Sequence, residues 1–444
     1  LGRHQARSLT GEGFAKAIDL FSQAVALDPE YVPAWSALAE AYLGTVSWGN
    51  ASWFSVMDDA EAAVEQALML DPNSVDALLA KSMMLRFQQK DAEARALDEQ
   101  ALATDPMNPE ALRRMADTLR STDPQRSLAN AEQALDIDPL SELIRITVIR
   151  STRKALGMGP ARERYEEFLA QDPDSWVLIE QWARLEDNAG NSDLAILEFE
   201  KVFSLREDAY SAAAMAILYL DLGDEAEAER WAEQARELGP DSEWTRGLTF
   251  RFAWYRQDFE TLMSLLRAQS ETPQGKDPLY YSGLGQVLMA MDRPEEAEAA
   301  FRQSLQMLAP DETAIPTGLE LSVIGELAFL LPQGTERSQL VERIRARYEA
   351  IRLADPDSRP VAALAAQIAL LEDHRDDYFA AASRAIDTGY RGRRWMELEV
   401  SYRVWKDDPR FSELLGRLDQ IAADQRARLE AARAEAAHNA GVSI

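Results

Sequence analysis

The residue types that most often carry chemistry are sparse in this chain. There is no cysteine, which excludes disulfides, thiolate catalysis, Cys-based zinc sites and iron–sulfur ligation. The three histidines, His4, His374 and His438, are far apart in sequence, so a transition-metal site lacks its usual ligands and no metal is expected. Carboxylate pairs such as Asp58-Asp59 and Asp376-Asp377 read as solvated helix faces on an acidic protein. No G-x-x-x-x-G-K-[ST] phosphate loop, G-x-S-x-G elbow, H-E-x-x-H helix or EF-hand loop is present, and Gly283-Leu284-Gly285 lacks a third glycine. Asn50-Ala51-Ser52 matches a glycosylation sequon at a frequency expected by chance. The expectation is a non-enzymatic chain without a cofactor. What it has in quantity is arginine: 40 of its 47 bases are arginine and 7 are lysine. A guanidinium takes a carboxylate through two parallel hydrogen bonds, so the chemistry on offer is recognition of acidic groups. A second feature is the run Ser47-Trp48-Gly49-Asn50-Ala51-Ser52-Trp53-Phe54. It reads as a loop whose Trp48, Trp53 and Phe54 either fold back on the neighbouring helices or anchor a partner.

These residues sit in a chain of 444 with 76 acids and a formal charge of −29. Nucleic acid and anionic membrane are not expected partners, because counterion-driven binding needs a basic surface. No apolar run approaches the roughly 20 residues of a spanning helix. The arginine bias suggests a GC-rich bacterial genome, and the absence of cysteine fits cytoplasm and periplasm equally. Leu1-Gly2-Arg3-His4 has no initiator Met and reads as an internal start, so a preceding segment is expected.

The elements that position the arginines follow from a repeat. Asp-Pro recurs after Ala-rich stretches, ending at Pro29, Pro72, Pro106, Pro139 and Pro173; Glu207 stands where the next Pro is due, and Pro240, Pro273 and Pro310 continue the series. The period is 33 to 34 residues, with an insertion between the first two anchors and a last interval of 37. Each unit reads as two helices. The second carries a buried stripe at one-turn spacing, as in Ala17, Phe21 and Ala24. The first sets a large residue beside a small one at the crossing, as in Trp35, Leu38, Ala39 and Tyr42. Continuing the period puts Ser82, Ala116, Ile149, Ala183, Ile217, Phe250 and Gly285 at the small position. Ile149, Ile217 and Phe250 are expected to push their helices apart.

The pattern resembles the tetratricopeptide repeat, with its 34-residue W-x2-L-G-x2-Y first helix and A-x3-F-x2-A…P second helix. The resemblance implies an all-α, right-handed superhelical solenoid of about eight to ten helix pairs, strand content near zero, and an irregular C-terminal helical part. It also implies that a groove is lined by fixed positions of the first helices. Here these are Arg113, Asp117 and Arg120; Ile146, Arg150 and Arg153; Glu180, Arg184 and Asp187; and Trp244, Arg251 and Trp254. The candidate groove residues are therefore Arg113, Arg120, Arg150, Arg153, Arg184, Arg251, Trp244 and Trp254. Two readings stand side by side. Either the groove takes an acidic peptide, or Glu110, Asp117 and Glu180 neutralise the arginines internally.

The opening to Gly44 and the ending Gly389-Tyr390 … Asp407-Asp408-Pro409-Arg410-Phe411 … Leu414-Leu415 are similar to the repeat region of bacterial regulators in which the repeats follow an adenylate cyclase or winged-helix domain. The expected organisation is a solenoid over 1–310, degenerate helical repeats over 311–409, and a capping helix with tail over 410–444. Helices are expected over 319–331 and 336–354 with Thr335 as N-cap. The expected function is a protein-interaction scaffold in a bacterial regulator. A self-associating structural subunit of an oligomer or filament is the alternative.

Overall fold

The computed structural model describes the chain except residues 7, 49–52, 89, 241, 272–274, 309–317, 356–357 and 440–444. The described residues are helical, with no strand. They divide into two compact units, Leu1–Leu178 and Ile179–Ile444.

Unit 1 holds α1 (Gly2–Ala6), α2 (Gly11–Leu27), α3 (Val32–Trp48), α4 (Trp53–Leu70), α5 (Val75–Phe87), α6 (Asp91–Thr104), α7 (Pro109–Leu119), α8 (Pro124–Ile137), α9 (Glu142–Leu156) and α10 (Met158–Gln171). The division falls inside α11 (Trp176–Asn188). Unit 2 continues with α12 (Ser192–Leu205), α13 (Ala209–Asp221), α14 (Glu225–Leu238), α15 (Glu243–Tyr255), α16 (Phe259–Ser270), α17 (Pro278–Ala290) and α18 (Pro294–Leu308). Its last part is α19 (Gly318–Leu330), α20 (Thr335–Ala354), α21 (Arg359–Leu371), α22 (Arg375–Asp387), α23 (Arg393–Leu398), a 3-10 turn at Tyr402–Trp405, and α24 (Pro409–Asn439).

The recurring Asp-Pro is the hinge between pairs. Asp28, Asp105, Asp138 and Asp172 end their helices, each donating its backbone N–H to the carbonyl four residues back. The proline that follows has no N–H and cannot extend the helix. The next helix is then started by a side-chain oxygen accepting a backbone N–H, from Ser74, Asn108, Ser141, Asp208, Ser242 or Asp277. Thr335 departs from expectation: it is the first helical residue of α20, and the cap position is Gly334.

Within pairs, small residues set the distance. Ala39 has no exposed surface and packs with Leu38, Ala63, Val64 and Ala80. A Cβ on Gly285 would lie 2.6–2.7 Å from the ring of Phe301, so only glycine fits that crossing. Trp35 donates its indole N–H to the Pro29 carbonyl at 2.8 Å, and Arg145 donates its Nε to the Pro139 carbonyl at 2.9 Å. The arginine thus fills the tryptophan's place in its own repeat.

The three bulky crossings behave differently: α13 packs on α14 as closely as the regular pairs do, α9 packs less closely on α10, and α15 packs only loosely on α16, as the bulk of Phe250 leads one to expect. Ile149 is buried, and α9 and α10 still pack, with Ala161 of α10 fully buried. In α13 the buried face is Ala212, Met215, Ala216 and Tyr219, while Ile217 is half-buried beside it. Ala216 is therefore the small residue of that repeat. Phe250 is likewise half-buried, with Leu248 and Phe252 in the core. The register slips by one in α13, where Glu207 replaces the boundary proline and Asp208 caps the helix one residue early; it is restored at α15, which Ser242 caps two residues after Pro240.

The last helix reaches back. α24 packs against α22 and α23 and also against α12, near the start of the same unit. Its first half buries Phe411, Leu414 and Leu418 with Tyr378, Phe379, Ile386 and Met396. Gly190 and Gly389, both in left-handed backbone at φ +80° and +106°, touch backbone to backbone: a Cβ on Gly190 would sit 2.6 Å from the Gly389 Cα.

Candidate interaction surfaces

In unit 1 the first helices of successive pairs, α3, α5, α7 and α9, pack side by side. This places side chains one repeat apart on a common surface. Arg113 makes two bonds to Glu110, at 2.6 and 2.7 Å, and a third to Asp117 at 2.9 Å; its side chain is 12% exposed. Arg114 adds a 2.6 Å bond to Glu110, and Arg120 pairs with Asp117. Burial would raise the Glu110 carboxyl, but Arg113 and Arg114 over-compensate and hold it down at about 2. Glu40 shows the opposite balance. Burial, then the charges of Asp76 and Glu110, push it up to about 7. Arg3 of α1 reaches Asp76 at 3.1 Å. A cleft of about 620 Å³ opens beside it, lined by Leu1, Phe21, Tyr31 and Asp76 among others.

Four groove candidates, Arg113, Arg120, Arg150 and Arg153, belong to this unit. Arg113 and Arg120 are brought together through their shared partner Asp117. Arg150 and Arg153, both half-buried on α9, also have interactions of their own.

Arg184, Trp244, Arg251 and Trp254 belong to unit 2. Arg184 lies 3.7 Å from Glu180, whose carboxyl burial pushes up to about 7 despite that arginine. Arg184, Arg251 and Arg359 all act on the Asp187 carboxyl, which removal from water raises and these three guanidiniums pull down. Asp221 is raised to about 6 by burial, again opposed by Arg251 and Arg359, and it bonds the Tyr255 hydroxyl. Three arginines from α11, α15 and α21 thus share one cluster with Asp187 and Asp221. Trp244 is 40% exposed and meets Tyr210 edge-on at 4.6 Å.

Trp254 corrects the groove assignment. It is 3% exposed, stacked on Trp395 at 5.5 Å and Phe250 at 6.5 Å, and offers no surface to a partner. The residue beside it, Tyr255, is the one that joins the charged cluster. By spacing from their repeat anchors Trp254 and Asp221 hold the same lining position as Arg120, Arg153 and Asp187, so position alone does not tell the buried one from the others; the stacking of Trp395 turns Trp254 inward. Arg359 carried no repeat signal that could have found it. The aromatics of the insertion, Trp48, Trp53 and Phe54, lie outside the residues whose side chains are described. The helices α3 and α4 run into that segment from both sides.

A separate acid pair lies deeper in unit 2. Glu399, 3% exposed, caps the end of α23, and Glu326 is on α19; each has one carboxylate oxygen without a hydrogen-bond partner among the described residues. Burial raises both, Glu399 to about 7 and Glu326 well above its ordinary value, and the Glu399 charge adds to the rise of Glu326.

The geometry so far defines a protein of stacked helix pairs whose first helices share a lining surface, the tetratricopeptide type of helix-pair architecture. Residues 279–308, which form α17 and α18, match the tetratricopeptide repeat family model. Over 182 residues the chain is 29% identical to anaphase-promoting complex subunit 7 of Arabidopsis thaliana; the match covers 40% of this chain and 32% of that subunit. Among solved structures, the APC/C hetero-tetramer Cut9-Hcn1 is similar at 14% identity, with 92% of this chain and 73% of that one covered and a TM-score of 0.42. PilW, a type IV pilus biogenesis factor, is similar at 22% identity, with 49% and 97% covered and a TM-score of 0.38. No described helix is long and apolar enough to cross a membrane.

Proposed function

We propose that the chain is a protein-interaction scaffold whose lining helices read acidic groups on a peptide or protein segment. The observation that carries the reading is the convergence of Arg184, Arg251 and Arg359 on one cluster in unit 2, from three helices that are far apart in sequence. These guanidiniums face Asp187 and Asp221, and a ligand carboxylate would enter the same cluster. In unit 1, Arg150 and Arg153 are the corresponding pair on α9. Arg113 and Arg120 are committed to Glu110 and Asp117, and they stiffen the surface more than they present charge. The Arabidopsis protein that part of the chain matches is a subunit of a complex, which agrees with a binding task.

The finer reading, a partner-binding or sensory region of a larger bacterial regulator, rests on the similarity of the opening and closing segments to such regulators. The test uses short fluorescein-labelled peptides of acidic, neutral and basic composition, titrated with the full chain. The acidic peptide binds best, and Arg184→Glu with Arg251→Glu, or Arg150→Glu with Arg153→Glu, weakens it at least tenfold. Salt weakens it too, since exposed charge is screened over about 8–10 Å at physiological ionic strength. Equal binding of all three peptides, or indifference to both charge reversals in folded protein, overturns the reading.

A further inference from the structure

The two halves of α24 are held in chemically different ways. The buried stripe runs Phe411, Leu414, Leu418 and then Gln425, Leu429 at helical spacing. The first three are set in an aromatic and aliphatic cluster. Beyond Leu418, Leu429 is the one large apolar side chain of the helix buried below a tenth. Apart from Leu429, which joins the apolar core of the unit, what holds this second half is polar. Gln425 donates to the Gly190 carbonyl at 2.6 Å, Arg426 to the Leu222 carbonyl, and Arg428 to Asp193 at 2.7 Å; Arg433 reaches both Glu200 and the Tyr219 hydroxyl.

The receiving side is built for cations. The Asp193 side chain is 2% exposed and retains one oxygen without a partner among the described residues, although Arg428 above it is 58% exposed. A buried carboxylate whose counter-charge stands in solvent favours any arginine presented there, and it is costly to leave uncovered. Glu200, Tyr219 and the ends of the α11–α12 and α13–α14 connections complete a row of acceptors. The guanidiniums of Arg428 and Arg433 stay open to solvent, so these two ion pairs are screened by salt, and an arginine presented from outside can compete for Asp193 and Glu200.

We propose that the α12–α13 edge of unit 2 is a receptor for an arginine-bearing helix of a partner protein, masked in this chain by its own Gln425–Asn439 segment. A partner helix carrying two or three arginines at the spacing of Arg426, Arg428 and Arg433 displaces that segment. This surface adjoins the acidic-peptide surface at the Gly190–Gly389 contact, where Arg359 bonds Gly389 and Gln425 bonds Gly190, but it takes the opposite charge.

The test uses the full chain with Arg428→Glu and Arg433→Glu, which lifts the segment by charge reversal. The probe is a fluorescein-labelled peptide with the sequence of residues 421–439. The variant binds the probe at least tenfold more tightly than the native chain, and Asp193→Asn added to the variant removes that binding. Should the double change unfold the chain by circular dichroism, native-state amide exchange decides instead: Gln425–Asn439 exchanges at least tenfold faster than 411–418. Equal probe binding by native chain and variant, binding that survives Asp193→Asn, or equal exchange of the two halves overturns the proposal. Exchange of α24 between two copies into a dimer, seen in sedimentation of the native chain, overturns it as well.

Discussion

Gly190 and Gly389 show how far a single atom reaches in this fold. Each has positive φ, and their backbones touch where the last part of unit 2 meets its first helix pair. The Gly190 carbonyl also accepts from Arg391 at 2.8 Å and from Gln425. Gly190→Ala adds a Cβ to a backbone conformation that disfavours it and drives it into Gly389. We expect a loss of about 1–3 kcal/mol, the usual cost of overpacking, measured by urea denaturation. A variant as stable as the parent would mean that the two backbones are not in contact. Ala39→Leu should cost a similar amount, because Ala39 is fully buried against Leu38, Ala63 and Ala80. Ile217→Ala should cost less than Ala39→Leu, since Ile217 is half-buried and off the crossing. Melting both at equal conditions checks the register: equal or reversed losses would return Ile217 to the crossing.

At the scale of elements, α23 is the bracket of unit 2. Trp395 stacks on Trp254, Arg394 donates to the Tyr255 carbonyl at 3.0 Å, and Arg393 pairs with Asp419 of α24 at 2.7 Å. Trp395→Ala removes an aromatic pair worth about 0.5–1.5 kcal/mol beyond its buried area. Trp254 emission should then shift to the red as its ring meets water. Unchanged emission would show that the stack does not shield it. The Glu326 and Glu399 pair ties α19 to the end of α23, with Arg403, Tyr402 and Tyr378 as the charged and titratable neighbours. Both carboxyls are held above their unfolded values, so the folded state binds the extra protons. Their favourable contribution is complete below about pH 4.5, the ordinary glutamate value, and is lost as pH rises through about 7. Glu399→Gln keeps the shape without the titration, so the variant should lose less stability than the parent between pH 5 and 8. Parallel pH profiles would rule out the pair as the source.

Across the whole molecule the same sign recurs. Glu40, Glu180 and Glu399 are raised to about 7 and Asp221 to about 6, all by burial first. Groups with lowered values, such as Glu110 at about 2, lose their contribution only in strong acid. Mild acid also reduces the self-repulsion of a chain carrying −29 charges. We therefore expect the melting temperature to rise as pH falls from 8 to about 5 at constant ionic strength, and to drop again well below pH 4. Each pH unit of difference in a carboxyl's folded and unfolded pKa corresponds to about 1.4 kcal/mol, so the trend should be plain in calorimetry. A profile that is flat or rises with pH over that range would contradict the burial of these acids.

The repeat period, the helix pairs and the small residues at their crossings were legible in the sequence. Asp-Pro junctions, side-chain caps and Ala/Phe stripes are local signals, each acting within a few residues of its own position. Arg113 and Arg120 could be placed on one helix face for the same reason. Their pairing through Asp117 follows from side-chain geometry that spacing alone left open. The degenerate junction at Glu207 shifts the register within α13, whereas Ser242, Arg251 and Gly285 keep to the period. Trp254 holds a lining position by spacing and is nonetheless in the core, because Trp395 of α23 stacks on it. The gathering of Arg184, Arg251 and Arg359, the Glu326 and Glu399 pair, and the return of α24 to Asp193 were decided by tertiary structure alone. Each joins residues separated by tens to hundreds of positions, and such contacts depend on the accumulated rotation of successive helix pairs, a quantity that no local pattern encodes.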